Sequence, residues 1–162
     1  MSVDIKPLTF DHRAQAQAFA GRIPADERGF LDRTLLNQVS VASWTQHTPA
    51  RRLGAFIDDD LVGLVTVAPE SGWSDHVADF RLVVAPEARG QGVGRSLVEA
   101  GIALGAELGI RKLTVEVMAT RAGPIGMFES FGFEREAVLR RQVHDDAGEV
   151  HDLAVLSHFL EE

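Results

Sequence analysis

At 162 residues, 45% of them hydrophobic, the chain has the length of one ordinary domain and enough apolar side chains for one continuous core. A formal net charge of -8, with 16 lysines and arginines scattered along the chain, excludes nucleic acid as the expected main partner, because phosphate binding relies on clustered cations. The absence of cysteine removes disulfides and thiolate metal sites and fits a cytoplasmic protein, and the longest apolar stretch, Leu61 to Ala68, is far too short to cross a membrane.

In chain order, SVDIKPLTF reads as a first strand and DHRAQAQAFAGRI as a helix opened by Asp11 at its N-cap. ADERGFLDRTLLNQVSVASW places Phe30, Leu31, Leu35 and Val39 at helical spacing and predicts a second helix. In RRLGAFIDDDLVGLVTVAPE, two apolar runs are divided by Asp58, Asp59 and Asp60, the pattern of an antiparallel hairpin with an acidic turn. HVADFRLVVA predicts the next strand. The helix that follows from Gly92 carries Val93, Leu97, Leu104 and Leu108 on its apolar stripe and stops at Gly109. RKLTVEVMA is a strand with Leu113, Val115 and Val117 on one face, and GPIGMFESFGF is a short helix with Pro124 near its start and Gly132 past its end. REAVLRRQVHDDAGEVHDLAVLSHFL then supplies two strands around the turn DDAG. Residues 1–162 therefore predict one α/β domain in the order β-α-α-β-β-β-α-β-α-β-β, whose hairpins demand a mixed sheet.

The segment VVAPEARGQGVGRSL gathers Gly90, Gly92 and Gly94 where the strand gives way to the helix, so bare backbone is offered at the positive end of a helix dipole. A dinucleotide fingerprint needs a third glycine where Arg95 stands, and a nucleoside-triphosphate loop needs a lysine that this turn lacks. What remains is a pyrophosphate cradle for another cofactor, or a glycine-rich corner that binds nothing.

The same segment resembles the acyl-CoA-binding motif of the GNAT superfamily of N-acyltransferases, in which Arg/Gln-x-x-Gly-x-Gly/Ala is matched by Arg89, Gly92 and Gly94. The flanking LVVAP, the following helix, the strand KLTVEV and the segment MFESFGFE occur in that superfamily's order, so the resemblance covers nearly the whole chain. It implies a mostly antiparallel sheet of about seven strands flanked by about four helices. It also implies acetyl-CoA as cosubstrate, its pyrophosphate held by the backbone of Arg89, Gly90, Gln91, Gly92, Val93 and Gly94, with Arg95 as an added cation. The strand end at Val83, Val84 and Ala85 would present backbone groups to the pantetheine arm, with Val84 facing the thioester carbonyl. A fixed N–H donor at such a carbonyl contributes about 2.7 to 4 kcal/mol to transition-state stabilisation.

The sequence departs from the superfamily pattern in two places. Phe128 stands where many relatives carry a tyrosine proposed to protonate the leaving thiolate, no other tyrosine exists, and Arg121 replaces a frequent asparagine. A thiol with a pKa near 8.5 is a tolerable leaving group without that assistance. For the base that accepts the amine proton, Asp79 is the first candidate, since some relatives carry a carboxylate near this end of the strand; Glu116, His144, His151 and Asp152 are the others. His144 and His151 would share a face if DDAG is a four-residue loop, but the chemistry requires no metal and none is expected. Trp44, Trp73 and Phe30 are candidates for core packing or for an apolar acceptor wall. The function implied is transfer of an acetyl group to a primary amine, small-molecule or peptide, with no nucleic-acid or membrane partner. The competing expectation is an acyl-CoA-binding regulatory domain that does not turn over, and a homodimer is expected only on the general frequency of two-fold dimers.

Overall fold

The structure is a computed structural model and describes residues 2–24, 27 and 50–160. Among these are seven strands, β1 (Asp4–Pro7), β2 (Arg51–Ile57), β3 (Asp60–Pro69), β4 (Val77–Val84), β5 (Lys112–Met118), β6 (Glu134–His144) and β7 (Val150–Phe159). Three α-helices accompany them: α1 (Arg13–Arg22), α2 (Val93–Glu107) and α3 (Ala122–Ser130). The second helix expected from the sequence, with Phe30 and Trp44, lies outside the described residues.

The strands form one sheet in the order β1-β2-β3-β4-β5-β7-β6. Every neighbouring pair is antiparallel except β4 and β5, which run parallel with α2 as their crossover. The acidic turn is a two-residue link: Ile57 pairs with Asp60, and Asp58 and Asp59 both have positive φ (49° and 70°), the geometry that matches the twist of a tight hairpin.

Alternation along the strands divides the core between two faces. Phe80 belongs to the cluster with Leu97 of α2, Leu113 of β5, and Phe128 and Phe133 around α3. Val83, three residues on and therefore on the other face, packs with Leu8, Phe19 of α1, Phe56 and Leu61. The sheet is thus covered by α2 and α3 on one side and α1 on the other.

Four local expectations need correction. Helix entry is governed by Thr9, whose N–H donates to His12 Nδ1 at 3.0 Å, while Asp11 lies inside a short 3₁₀ turn (Phe10–His12). The buried residues of α2 are Val93, Leu97, Val98, Gly101 and Gly105; Leu104 is half-buried and Leu108 exposed. A Cβ on Gly101 would stand 2.7 Å from Phe80, so the stripe is rotated toward the glycine where the helix presses closest to β4. The β6–β7 loop spans five residues, 145–149, closed by Asp145 N–H to Glu149 C=O at 2.9 Å, and His144 pairs with Val150 while His151 pairs with Val143. One extra loop residue reverses the parity, which puts His144 and His151 on opposite faces of the hairpin. Trp73, at 101% relative exposure in a 3₁₀ turn, contributes neither to the core nor to a wall.

Candidate active site

Strands β4 and β5 pair only over Val77–Asp79 against Lys112–Thr114 and then separate, although β4 continues to Val84 and β5 to Met118. The gap opens a cleft of about 880 Å³, within the range of small-molecule sites. Its lining includes Phe80, Val115, Val117 and Phe128 from the α2/α3 side of the sheet, and Asp79, Arg81 and Glu116 from alternate positions that face the other side. The cleft therefore passes through the sheet.

The register decides which backbone groups reach it. Glu70 N–H donates to Val77 C=O and Ala85 N–H to Val62 C=O, both at 2.8 Å, so the odd-numbered residues of β4 spend their backbone groups on β3. Phe80, Leu82 and Val84 turn theirs toward the gap. Of the three strand-end residues singled out in the sequence, Val83 and Val84 line the cleft and Ala85 does not; Val84 turns its backbone to the cleft, Val83 toward β3. The Val84 carbonyl accepts from Arg89 Nε at 3.1 Å and Nη2 at 2.9 Å, which leaves its N–H directed into the gap.

Beyond the strand lies the glycine corner. Gly90 and Gly92 have φ of 76° and 83°, the left-handed region, and Gly92 caps α2. Within the helix Ser96 N–H donates to Gly92 C=O at 3.1 Å. The N–H groups of Val93, Gly94 and Arg95 precede that first helical bond and point out along the positive end of the dipole. Nothing lies within 4 Å of a Cβ placed on Gly90 or Gly92, and on Gly94 it would meet Met127 and Val84 at 3.6 Å beside the cleft. Gly90, Gly92, Gly94 and Arg95 line the cleft; Gln91 does not, and its side chain donates to Glu87 C=O. Arg95 stacks 4.7 Å from the Phe131 ring centroid and donates to Ser130 Oγ at 3.2 Å. An open helix end with bare backbone and a flanking guanidinium suits a pyrophosphate group, so the residues fit the cosubstrate that the motif implies.

The candidate acid–base groups are placed unequally. Asp79 stands at the vertex where the strands part, 26% exposed, with its carboxylate accepting from Arg81 Nε at 2.7 Å. Glu116 and His144 also line the cleft, and His144 Nδ1 lies 2.9 Å from the Asp145 carbonyl. His151 and Asp152 are absent from the lining: His151 pairs with Asp145 at 2.9 Å, and Asp152 accepts the Arg141 N–H at 2.9 Å, holding that residue at φ 54° in a bulge of β6. Asp145, Glu149 and His151 bring ligand atoms within 4.8 Å of one another at the hairpin tip. The Asp145 carboxyl is held below its ordinary range chiefly by the hydrogen bond from His151, with the Glu149 N–H adding to it. Phe128 is buried against Phe80 and Phe133 at centroid distances of 6.1 and 5.2 Å, an apolar wall where a tyrosine was absent from the sequence.

Sequence reasoning missed Glu27. Its carboxylate takes Arg89 in a two-pronged pair, Nη1–Oε1 3.1 Å and Nη2–Oε2 2.5 Å, and also takes Arg121 Nη1 at 3.2 Å. The Arg89 hydrogen bonds hold the Glu27 carboxyl below its ordinary range, with Arg121 reinforcing them against the opposing effect of burial.

Residues 18–133 match the model of the Acetyltransferase (GNAT) family. The [Ribosomal protein bS18]-alanine N-acetyltransferase of Escherichia coli strain K12 is 32% identical over 83 residues, 51% of this chain and 55% of that protein; the chain thus spans about half the length of the curated relatives it matches. Among solved structures, a ribosomal-protein-alanine N-acetyltransferase from Brucella melitensis superposes with a TM-score of 0.82 at 22% identity, covering 96% of this chain and 99% of that one. A spermidine N-acetyltransferase chimera from Vibrio cholerae and hSSAT superposes with a TM-score of 0.80 at 18% identity, covering 99% and 96%. At such identities the structural likeness speaks to the fold.

Proposed function

The chain belongs to the acetyltransferase (GNAT) family, and from that premise we propose that it transfers an acetyl group from acetyl-CoA to a primary amine. The observation that carries this reading is the cleft through the sheet, which joins the open N-terminus of α2 to the carboxylate of Asp79 by way of the inward-turned N–H of Val84. The backbone of the Arg89 to Gly94 turn binds the pyrophosphate, and Arg95 adds a positive charge beside it. The thioester supplies an activated acyl carbon and a thiolate leaving group. Val84 N–H donates to the carbonyl oxygen as negative charge builds there. Asp79, held by Arg81, accepts the proton that the amine sheds as its C–N bond forms and the C–S bond breaks. Phe128 offers no proton, so the departing thiolate is protonated from solvent.

The acceptor is an amine exposed on the Asp79 side of the sheet. The bS18-alanine enzyme's name makes a peptide N-terminus one candidate, and the spermidine enzyme's name makes a polyamine another. A cytoplasmic location accords with the absence of cysteine and with the lack of any helix, among the described residues, long and apolar enough to cross a membrane. The second reading, a CoA-binding domain without turnover, is favoured by one observation, the apolar Phe128 at the cleft wall. Mass spectrometry of peptides, polyamines and amino acids incubated with acetyl-CoA and the protein separates the two. Addition of one acetyl group to an amine supports the transferase, and calorimetric CoA binding with no acetylated product supports the regulatory domain.

A further inference from the structure

Resting on the transferase reading, we propose that Glu27 is a positioning residue of the acyl-transfer site, holding Arg89 so that its guanidinium fixes the peptide between Val84 and Ala85 beside the cleft. That peptide is gripped at both ends. Its carbonyl accepts from Arg89 Nε and Nη2 at 3.1 and 2.9 Å, and its N–H, that of Ala85, donates to Val62 C=O at 2.8 Å. Pinning the peptide sets the rotation about Val84 and with it the aim of the Val84 N–H, the donor assigned to the thioester carbonyl. Arg89 uses one edge of its guanidinium for this and the other for the two carboxylate oxygens of Glu27. The planar fork of arginine, which binds a carboxylate in two parallel bonds, makes the whole chain of contacts rigid.

The same carboxylate reaches Arg121 at the entry to α3, so Glu27 ties the glycine turn to the α3 entry, both of which border the cleft. Glu27 is only 15% exposed, which limits competition from water for its oxygens. Without its negative charge, two guanidiniums directed at one point would repel, and Arg89 would swing off the Val84 carbonyl.

The test uses the full chain with Glu27→Gln, which keeps the shape but removes the charge, and Glu27→Asp, which keeps the charge. Amide hydrogen exchange is read first. Ala85 N–H should exchange about tenfold faster in Glu27→Gln, with Val115 N–H in β5 unchanged and Glu27→Asp near wild type. In initial-rate assays, kcat should fall about tenfold to a hundredfold in Glu27→Gln. Binding of free CoA, which lacks the thioester carbonyl, should shift by less than about threefold, well under 1.4 kcal/mol. Unchanged Ala85 protection overturns the proposal, as does a parallel loss of kcat and CoA affinity that follows a fall in Tm. If the wild-type protein acetylates no amine, the transferase reading fails, and the exchange at Ala85 still decides whether Glu27 fixes that peptide.

Discussion

Valine in place of Gly92 tests the anion-binding corner by strain alone. At φ 83° the glycine occupies the left-handed region, and an L-residue there costs about 1–2 kcal/mol. Nothing lies within 4 Å of the added Cβ, so that atom meets no clash and the cost counted here is backbone conformation. The free variant relieves it by rotating residue 92 out of that region, which swings the N–H groups of Val93 and Gly94 away from a common point. A bound pyrophosphate needs them back, so the strain is returned on binding, and about 1–2 kcal/mol corresponds to a roughly 5- to 30-fold weaker Kd. Gly72, also left-handed at φ 65° with open space around it, lies in the β3–β4 connection and outside the cleft lining, and serves as the control. Calorimetric titration with CoA should show weakened binding in Gly92→Val and wild-type binding in Gly72→Val, and the free Gly92→Val protein, its strain relaxed, should melt within about 2 °C of wild type. Wild-type affinity in a folded Gly92→Val protein would refute the cradle.

Asp79→Asn should lower kcat/KM for the amine by about two orders of magnitude while leaving CoA binding intact; a kcat/KM equal to wild type removes Asp79 as the base. Gly101→Leu should destabilise by about 1–3 kcal/mol in chemical denaturation, because its Cβ already meets Phe80 at 2.7 Å; unaltered stability would mean α2 can shift at no cost. The lowered carboxyl of Asp145 means that its contribution to stability is fully present above the ordinary carboxylate range and is lost as pH falls through the depressed folded value. Exchange at Glu149 N–H, which donates to Asp145 Oδ1 at 2.9 Å, should therefore accelerate only at that acidic end, beyond the intrinsic pH trend, and Asp145→Asn should abolish the transition.

Strand alternation and the glycine corner were legible in the sequence because both are local signals: period-two side chains, and glycines crowded at one strand-to-helix junction. The stripe of α2 was misplaced because hydrophobicity gives no weight to Gly101 and Gly105, which mark the closest packing. The histidine pair was misplaced because a single loop residue inverts every side chain beyond it. Glu27 was invisible for another reason, since its partners lie 62 and 94 residues away and no periodicity links them. Likewise, which of Val83 and Val84 turns its backbone to the cleft depends on which hydrogen-bonded pairs β3 and β4 form, a register that composition does not encode.

The measurement that bears most directly on the central claim is the initial rate of thiol release from acetyl-CoA by the wild-type chain, with and without a primary amine. Expected are a low basal rate, an amine-dependent rate that saturates with acetyl-CoA, and a roughly 5- to 30-fold fall of that rate in Gly92→Val at subsaturating cosubstrate. Release that is independent of every amine tested, in a protein that binds CoA tightly, would contradict it.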